Sequence, residues 1–162
     1  MSTDSIQEQI VTYLTDVHST EENAISQLKT GAGAVQDPQL AQVLREHLAE
    51  TEQHERLVRE RLEALDASPS KMKDLAQKGA AVVTGAVSGA APDTTGKIAI
   101  QAFAFEHLEI ASYRSLRAVA QRADDTETVA LADRILQDEH TAAQKLSDLM
   151  EQAALVGLPQ AA

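Results

Sequence analysis

The chain has no cysteine and no tryptophan, and aromatic residues make up 2% of its 162 positions. Without cysteine there is no disulfide, zinc–thiolate site, iron–sulfur cluster or thiol nucleophile. So few aromatics, in a chain rich in Ala, Leu, Glu and Gln, disfavour sheet and favour helix. Positive charge is also short: 14 Lys and Arg against 25 Asp and Glu give a formal net charge of −11. With no Lys/Arg tract to offset it, that balance argues against nucleic acid or an anionic membrane as partner. Long apolar runs are missing too. The most apolar stretch, Gly79 to Ala91, is about thirteen small residues and too short to span a bilayer. The first ten residues are polar and acidic and show no secretory signal. The expectation is a soluble cytoplasmic protein of one domain, long enough to bury a core. Phosphate-binding loops are absent as well, since Gly79, Gly85 and Gly89 follow no strand and no Gly-Lys-Ser/Thr occurs.

What the chain does have is helix punctuation. Ser5-Ile6-Gln7-Glu8 has the form of a capping box, opening a helix that Gly31-Ala32-Gly33 should end. Asp37-Pro38 supplies an N-cap followed by proline at the first helical position. The boundaries predict helices over about 5–30, 38–67, 94–122 and 126–153, with a crossover at 68–93 carrying a short helix at Lys71–Gly79. Short loops make each helix pair antiparallel. The ~25-residue crossover is long enough to run back along a bundle about 40 Å tall, starting helix three at the same end as helix two. Two antiparallel pairs joined by one long crossover are the ferritin-like four-helix arrangement, an all-α fold.

Four glutamates interrupt the apolar stripes of these helices. The stripes run Ile10, Leu14, Val17, Glu21, Ala24, Leu28; then Leu40, Val43, His47, Glu50, His54, Leu57. The third is Ile98, Ala102, Phe105, Glu109, Ser112, Leu116, Val119, and the fourth Val129, Ala132, Leu136, Glu139, Ala143, Leu146, Met150. Such spacing points inward. Counted from the loops, the members of each pair lie level within about a turn, near mid-bundle. Taken singly, a core glutamate is more often a structural exception than a ligand. Four together carry a charge that two divalent cations cancel, and carboxylate with imidazole suits iron or manganese, with zinc overlapping.

The bundle di-iron pattern takes a Glu from each of two helices and Glu-x-x-His from the other two. No Glu-x-x-His occurs in this chain. Helix two instead offers Glu50-x-x-x-His54, one face because positions four apart are neighbours, with His47 one turn the other way. Helix four has Ala142 and Ala143 where a histidine is wanted, and His140 points about 100° from Glu139. Glu106, three before Glu109, can replace the missing ligand. His47, His18, Tyr113 and His140 are possible neighbours of the ligands, and His18 and Tyr113 each have an ordinary surface or packing reading beside that one. Glu21 is preferred to Glu22, which points beside the stripe.

The segments Asp16-Val-His-Ser-Thr-Glu21, His47-Leu-Ala-Glu50-Thr51, Glu106-His-Leu-Glu109-Ile-Ala-Ser-Tyr113 and Leu136-Gln-Asp-Glu139 resemble the YciE/YciF-type ferritin-like stress-protein family. The likeness covers roughly residues 5 to 152 and is most specific in the third segment. It implies a ferritin-like bundle, often dimeric, with a dinuclear metal site and a role in bacterial stress. At His54, that family can carry glutamine. The expected site is therefore two divalent ions, iron first, with Glu50 and Glu139 as bridges. Glu21 and Glu109 are terminal carboxylates, His54 is the imidazole ligand, and Glu106 is an additional ligand. The expected partners are the metal ions with oxygen or peroxide, and a second copy of the chain in a homodimer. A non-catalytic stress or interaction protein with a vestigial site, and an iron-storage subunit, stay open as alternatives.

Overall fold

Three of the helices start where the sequence supplies an oxygen for their free amides. In the computed structural model, which describes residues 3–67 and 94–159, there are four helices. They are α1 (Thr3–Ala34), α2 (Pro38–Ala64), α3 (Thr95–Arg122) and α4 (Thr126–Leu155). Asp37 Oδ1 accepts from the Leu40 amide at 2.8 Å, Thr94 Oγ1 from Lys97 at 3.2 Å and Asp125 Oδ1 from Thr128 at 3.0 Å. Each such cap contributes about 1 kcal/mol. Left-handed residues end two of the helices: Asp66 has φ 51° and Asp124 φ 56°. These are conformations that Asp tolerates better than most side chains.

The first helix departs from expectation. It begins at Thr3 and runs through Gly31 and Gly33 to Ala34 rather than stopping at Gly31. The Val35 amide still donates to Gly31 O at 3.0 Å. A Cβ at Gly31 would stand 3.3 Å from Ile98 Cγ2 and 3.5 Å from Leu44 Cδ1. Glycine here permits close packing rather than a turn. The second helix ends at Ala64, three residues early, and the fourth runs two residues further than expected.

Contacts at the bundle ends fix the topology. At one end the Gln36 amide, in the α1–α2 loop, donates to Thr95 Oγ1 at 3.1 Å. There too the Gln152 side chain donates to Asp37 Oδ2 at 2.6 Å. At the other end Arg61 donates to Asp125 Oδ1 at 2.7 Å, to Thr128 Oγ1 at 2.9 Å and to Glu127. Helices α2 and α3 therefore start at the same end, as the long crossover requires. The fold is a ferritin-like helical bundle. The crossover at 68–93, with its expected short helix and the Gly79–Ala91 stretch, lies outside the described residues. No described helix is long and apolar enough to cross a membrane.

The core falls into two apolar clusters. Ile10, Leu14, Val17, Val58, Leu62, Tyr113 and Leu116 belong to the one toward Arg61. Ala24, Leu28, Leu40, Leu44, Ile98, Phe105 and Leu146 belong to the one toward Asp37. Between them lies a polar layer.

Candidate metal centre

The polar layer takes residues from all four helices. Glu21 comes from α1, His47 and His54 from α2, Glu106 and Glu109 from α3, and Glu139 from α4; all six are buried. Their donor atoms form two groups, each within a mutual distance of 4.8 Å: His47, Glu106, Glu109 and Glu139; and Glu21, His54 and Glu139. Glu139 belongs to both. Its two oxygens are divided between the histidines. His54 Nδ1 lies 3.0 Å from Oε1, and His47 Nε2 lies 3.4 Å from Oε2. His47 Nε2 is also 2.9 Å from Glu106 Oε2.

These approaches lack hydrogen-bond alignment. Glu21 Oε2, Glu106 Oε2, both oxygens of Glu109, both of Glu139, His47 Nε2 and His54 Nδ1 are buried with no hydrogen-bond partner. Leaving one such atom unsatisfied costs about 1–3 kcal/mol, and native proteins tolerate few. Eight converging carboxylate oxygens and imidazole nitrogens, which offer lone pairs once their protons leave, fit hard-to-borderline divalent cations.

Electrostatics show the same crowding. Burial first, then the Glu139 carboxylate, pushes the Glu21 carboxyl up to about 8. Burial likewise raises Glu106 to about 7, against the lowering pull of His47. Burial, reinforced by Glu139, Glu21 and Glu106, raises Glu109 well above the usual range. Glu139 is the exception: burial would raise it, but the two imidazoles outweigh this and hold it near 2. For both histidines burial opposes the charged ring, yet the surrounding carboxylates prevail and raise them.

Most sequence candidates converge, but not all. Glu21 is in the layer, while the Glu22 side chain is exposed. His47, expected only as a possible neighbour, stands inside one group. Both histidines of the layer come from α2, one in each group. Tyr113 is buried and donates its hydroxyl to Glu21 Oε1, leaving Oε2 turned inward. Glu50, expected as a bridge, is not brought in with the others. Its carboxylate is 40% exposed and sits 3.1 Å from His47 Nδ1. The buried face of α2 is Leu40, Leu44, His47, Thr51, His54, Val58 and Leu62, so the stripe turns past Thr51 rather than Glu50. His18 lies outside the layer, half-buried and 3.0 Å from Glu55, and His140 is exposed. Asp138, not singled out from sequence, lies 3.1 Å from His54 Nε2. Thr51 anchors this face, its hydroxyl donating to His47 O at 2.8 Å.

Solved structures share the bundle. A protein of Xanthomonas campestris pv. campestris is 27% identical, with TM-score 0.75 over 93% of this chain and 94% of its own. The E. coli stress protein YciF is 22% identical, with TM-score 0.73 over 93% and 98%. A dodecameric thioferritin of Bacteroides fragilis, a bacterioferritin-related protein, is 20% identical, with TM-score 0.75 over 94% and 95%. Residues 5–157, which include every residue of the polar layer, match the family described as a domain of unknown function, DUF892, and the chain belongs to that family.

Proposed function

We propose that this protein is a ferritin-like metal-binding protein holding two divalent cations, iron foremost and manganese or zinc as alternatives, and handling oxygen or peroxide in a stress response. The observation that carries the reading is the set of unpartnered donors converging in the layer, above all the two bare oxygens of Glu109. One cation would be held by His47, Glu106, Glu109 and Glu139 and the other by Glu21, His54 and Glu139, Glu139 being a member of both groups. Iron, when bound, supplies redox chemistry at this position. The chain supplies the rest. Its apolar clusters exclude bulk water, its carboxylates supply the balancing charge, and Tyr113 holds its proton against Glu21. The group with three donors has fewer protein ligands than a closed site uses, which suits access by a small molecule. The description of E. coli YciF as a stress protein supports the physiological part of the reading.

The test is metal analysis of protein made in iron- and manganese-supplemented medium. We expect about two ions per chain, and near-complete loss of both in Glu139→Ala. Absence of metal from the wild type after reconstitution with each ion overturns the reading. A cytoplasmic homodimer belongs to the same proposal. Sedimentation at the mass of a multi-subunit shell would favour iron storage instead.

A further inference from the structure

Each histidine of α2 is gripped from outside by an acidic side chain, and the two grips fall on different ring nitrogens. His47 has Nδ1 3.1 Å from Glu50 Oε2 and turns Nε2 toward Glu106 and Glu139. His54 reverses this. Its Nε2 is 3.1 Å from Asp138 Oδ2, and its Nδ1 faces Glu139 at 3.0 Å and Glu21 Oε2 at 3.9 Å. In both rings the outer nitrogen is hydrogen-bonded and the inner one has no hydrogen-bond partner. Seven residues separate the rings, about 10 Å of helix rise, and they reach different oxygens of Glu139.

A neutral imidazole carries one proton. A carboxylate on one side keeps that proton there and leaves the other nitrogen's lone pair free for a metal. Resting on the two-cation reading, we infer that Glu50 and Asp138 are positioning residues that lock the α2 histidines in opposite tautomers. His47 keeps its proton on Nδ1 and offers Nε2, whereas His54 keeps its proton on Nε2 and offers Nδ1. Glu50 then acts on the site through His47 rather than as a bridge. Asp138 takes the matching role from α4, the helix that lacks a histidine in the layer. Both carboxylates are partly exposed, at 40% and 42%, so they stay hydrated on their outer side while gripping a buried ring.

The experiment uses the full chain loaded with zinc, which is diamagnetic, and long-range proton–nitrogen correlation of ¹⁵N-labelled histidine. Two of the five histidines should show zinc-shifted signals, one with a protonated Nδ1 and the other with a protonated Nε2. Glu50→Ala should disturb the first and Asp138→Ala the second. Competition with a chromophoric chelator should show each alanine variant losing about 10- to 100-fold in zinc affinity. Glu50→Gln and Asp138→Asn should recover most of it, because the amide oxygen still accepts the ring proton. The same tautomer in both rings, or alanine variants with unchanged affinity, overturns the inference while leaving metal binding standing. A wild type that takes up no zinc, iron or manganese overturns the two-cation reading and this inference with it.

Discussion

Replacing Glu109 by leucine should make the metal-free protein more stable and the metal-loaded protein less so. Both Glu109 oxygens are buried without a hydrogen-bond partner, and burial with the charges of Glu139, Glu21 and Glu106 pushes the group toward its neutral form. Unsatisfied buried polar atoms cost about 1–3 kcal/mol each, and exchanging buried ionisable groups for apolar ones often stabilises by about 1–4 kcal/mol. Leucine has similar volume, so a gain of about 2–4 kcal/mol is expected in Glu109→Leu after chelation. For a chain of this length that corresponds to about 5–10 °C in Tm. Cations reverse the order. An ion present at a thousand times its Kd adds about 4 kcal/mol to the wild type, and the variant loses a ligand of the four-donor group. The assay is thermal unfolding by circular dichroism of both proteins, chelated and then zinc-saturated. A chelated variant melting at or below the wild type refutes the reasoning, because it would mean the Glu109 carboxyl is satisfied within the protein.

The metal-free form should lose stability as pH rises from about 5 to 8. Glu21 near 8 and Glu106 near 7 both lie above the ordinary 4.5, so the folded state binds protons that the unfolded state has released. The raised histidines act in the same direction, and Glu139, near 2, costs stability only below about pH 4.5. Urea unfolding at pH 5, 6.5 and 8 checks this; a steady rise in midpoint contradicts it. Arg61→Met should cost about 1–3 kcal/mol by removing the bonds to Asp125, Thr128 and Glu127. Metal content should stay unchanged, and a concurrent loss of metal would show that the tie also shapes the site. Gly96→Ala should destabilise by about 1–3 kcal/mol despite alanine's better helix propensity. The new Cβ would stand 3.0 Å from Ala154 Cα, a backbone atom that cannot swing aside. Unchanged urea stability would mean that α3 and α4 can part there freely.

Two helices announced their buried face, α3 slipped by one residue so that Tyr113 and Ala120 rather than Ser112 and Val119 are buried, and α2 misled. On α1 and α4 the apolar residues on either side of Glu21 and Glu139 are unambiguous, and both glutamates are buried. On α2 the segment from Arg45 to Arg56 offers few apolar residues, while the doublets Val43-Leu44 and Leu57-Val58 fit two registers equally. Steps of three and four join His47 to His54 through either Glu50 or Thr51, and packing selects Thr51. Glu106 was legible as a member of the layer because it lies one helical turn from Glu109. Asp138 was not, since its partner His54 is 84 positions away and no spacing within α4 reveals it. Glycines at 31 and 33 read as a stop signal. The role of Gly31 depends on Ile98 and Leu44, which only the folded bundle brings near, whereas Gly33 has no such neighbour.

The polar layer that divides the apolar interior has a mechanical consequence. Hydrophobic cohesion is thinned at mid-height, where Phe103 packs against both apolar clusters, so after chelation the half near Arg61 and the half near Asp37 are only weakly coupled. Cations gripped by all four rods would rivet that waist. Melting would then change from a gradual, two-stage softening to one sharp event as the ions are titrated in.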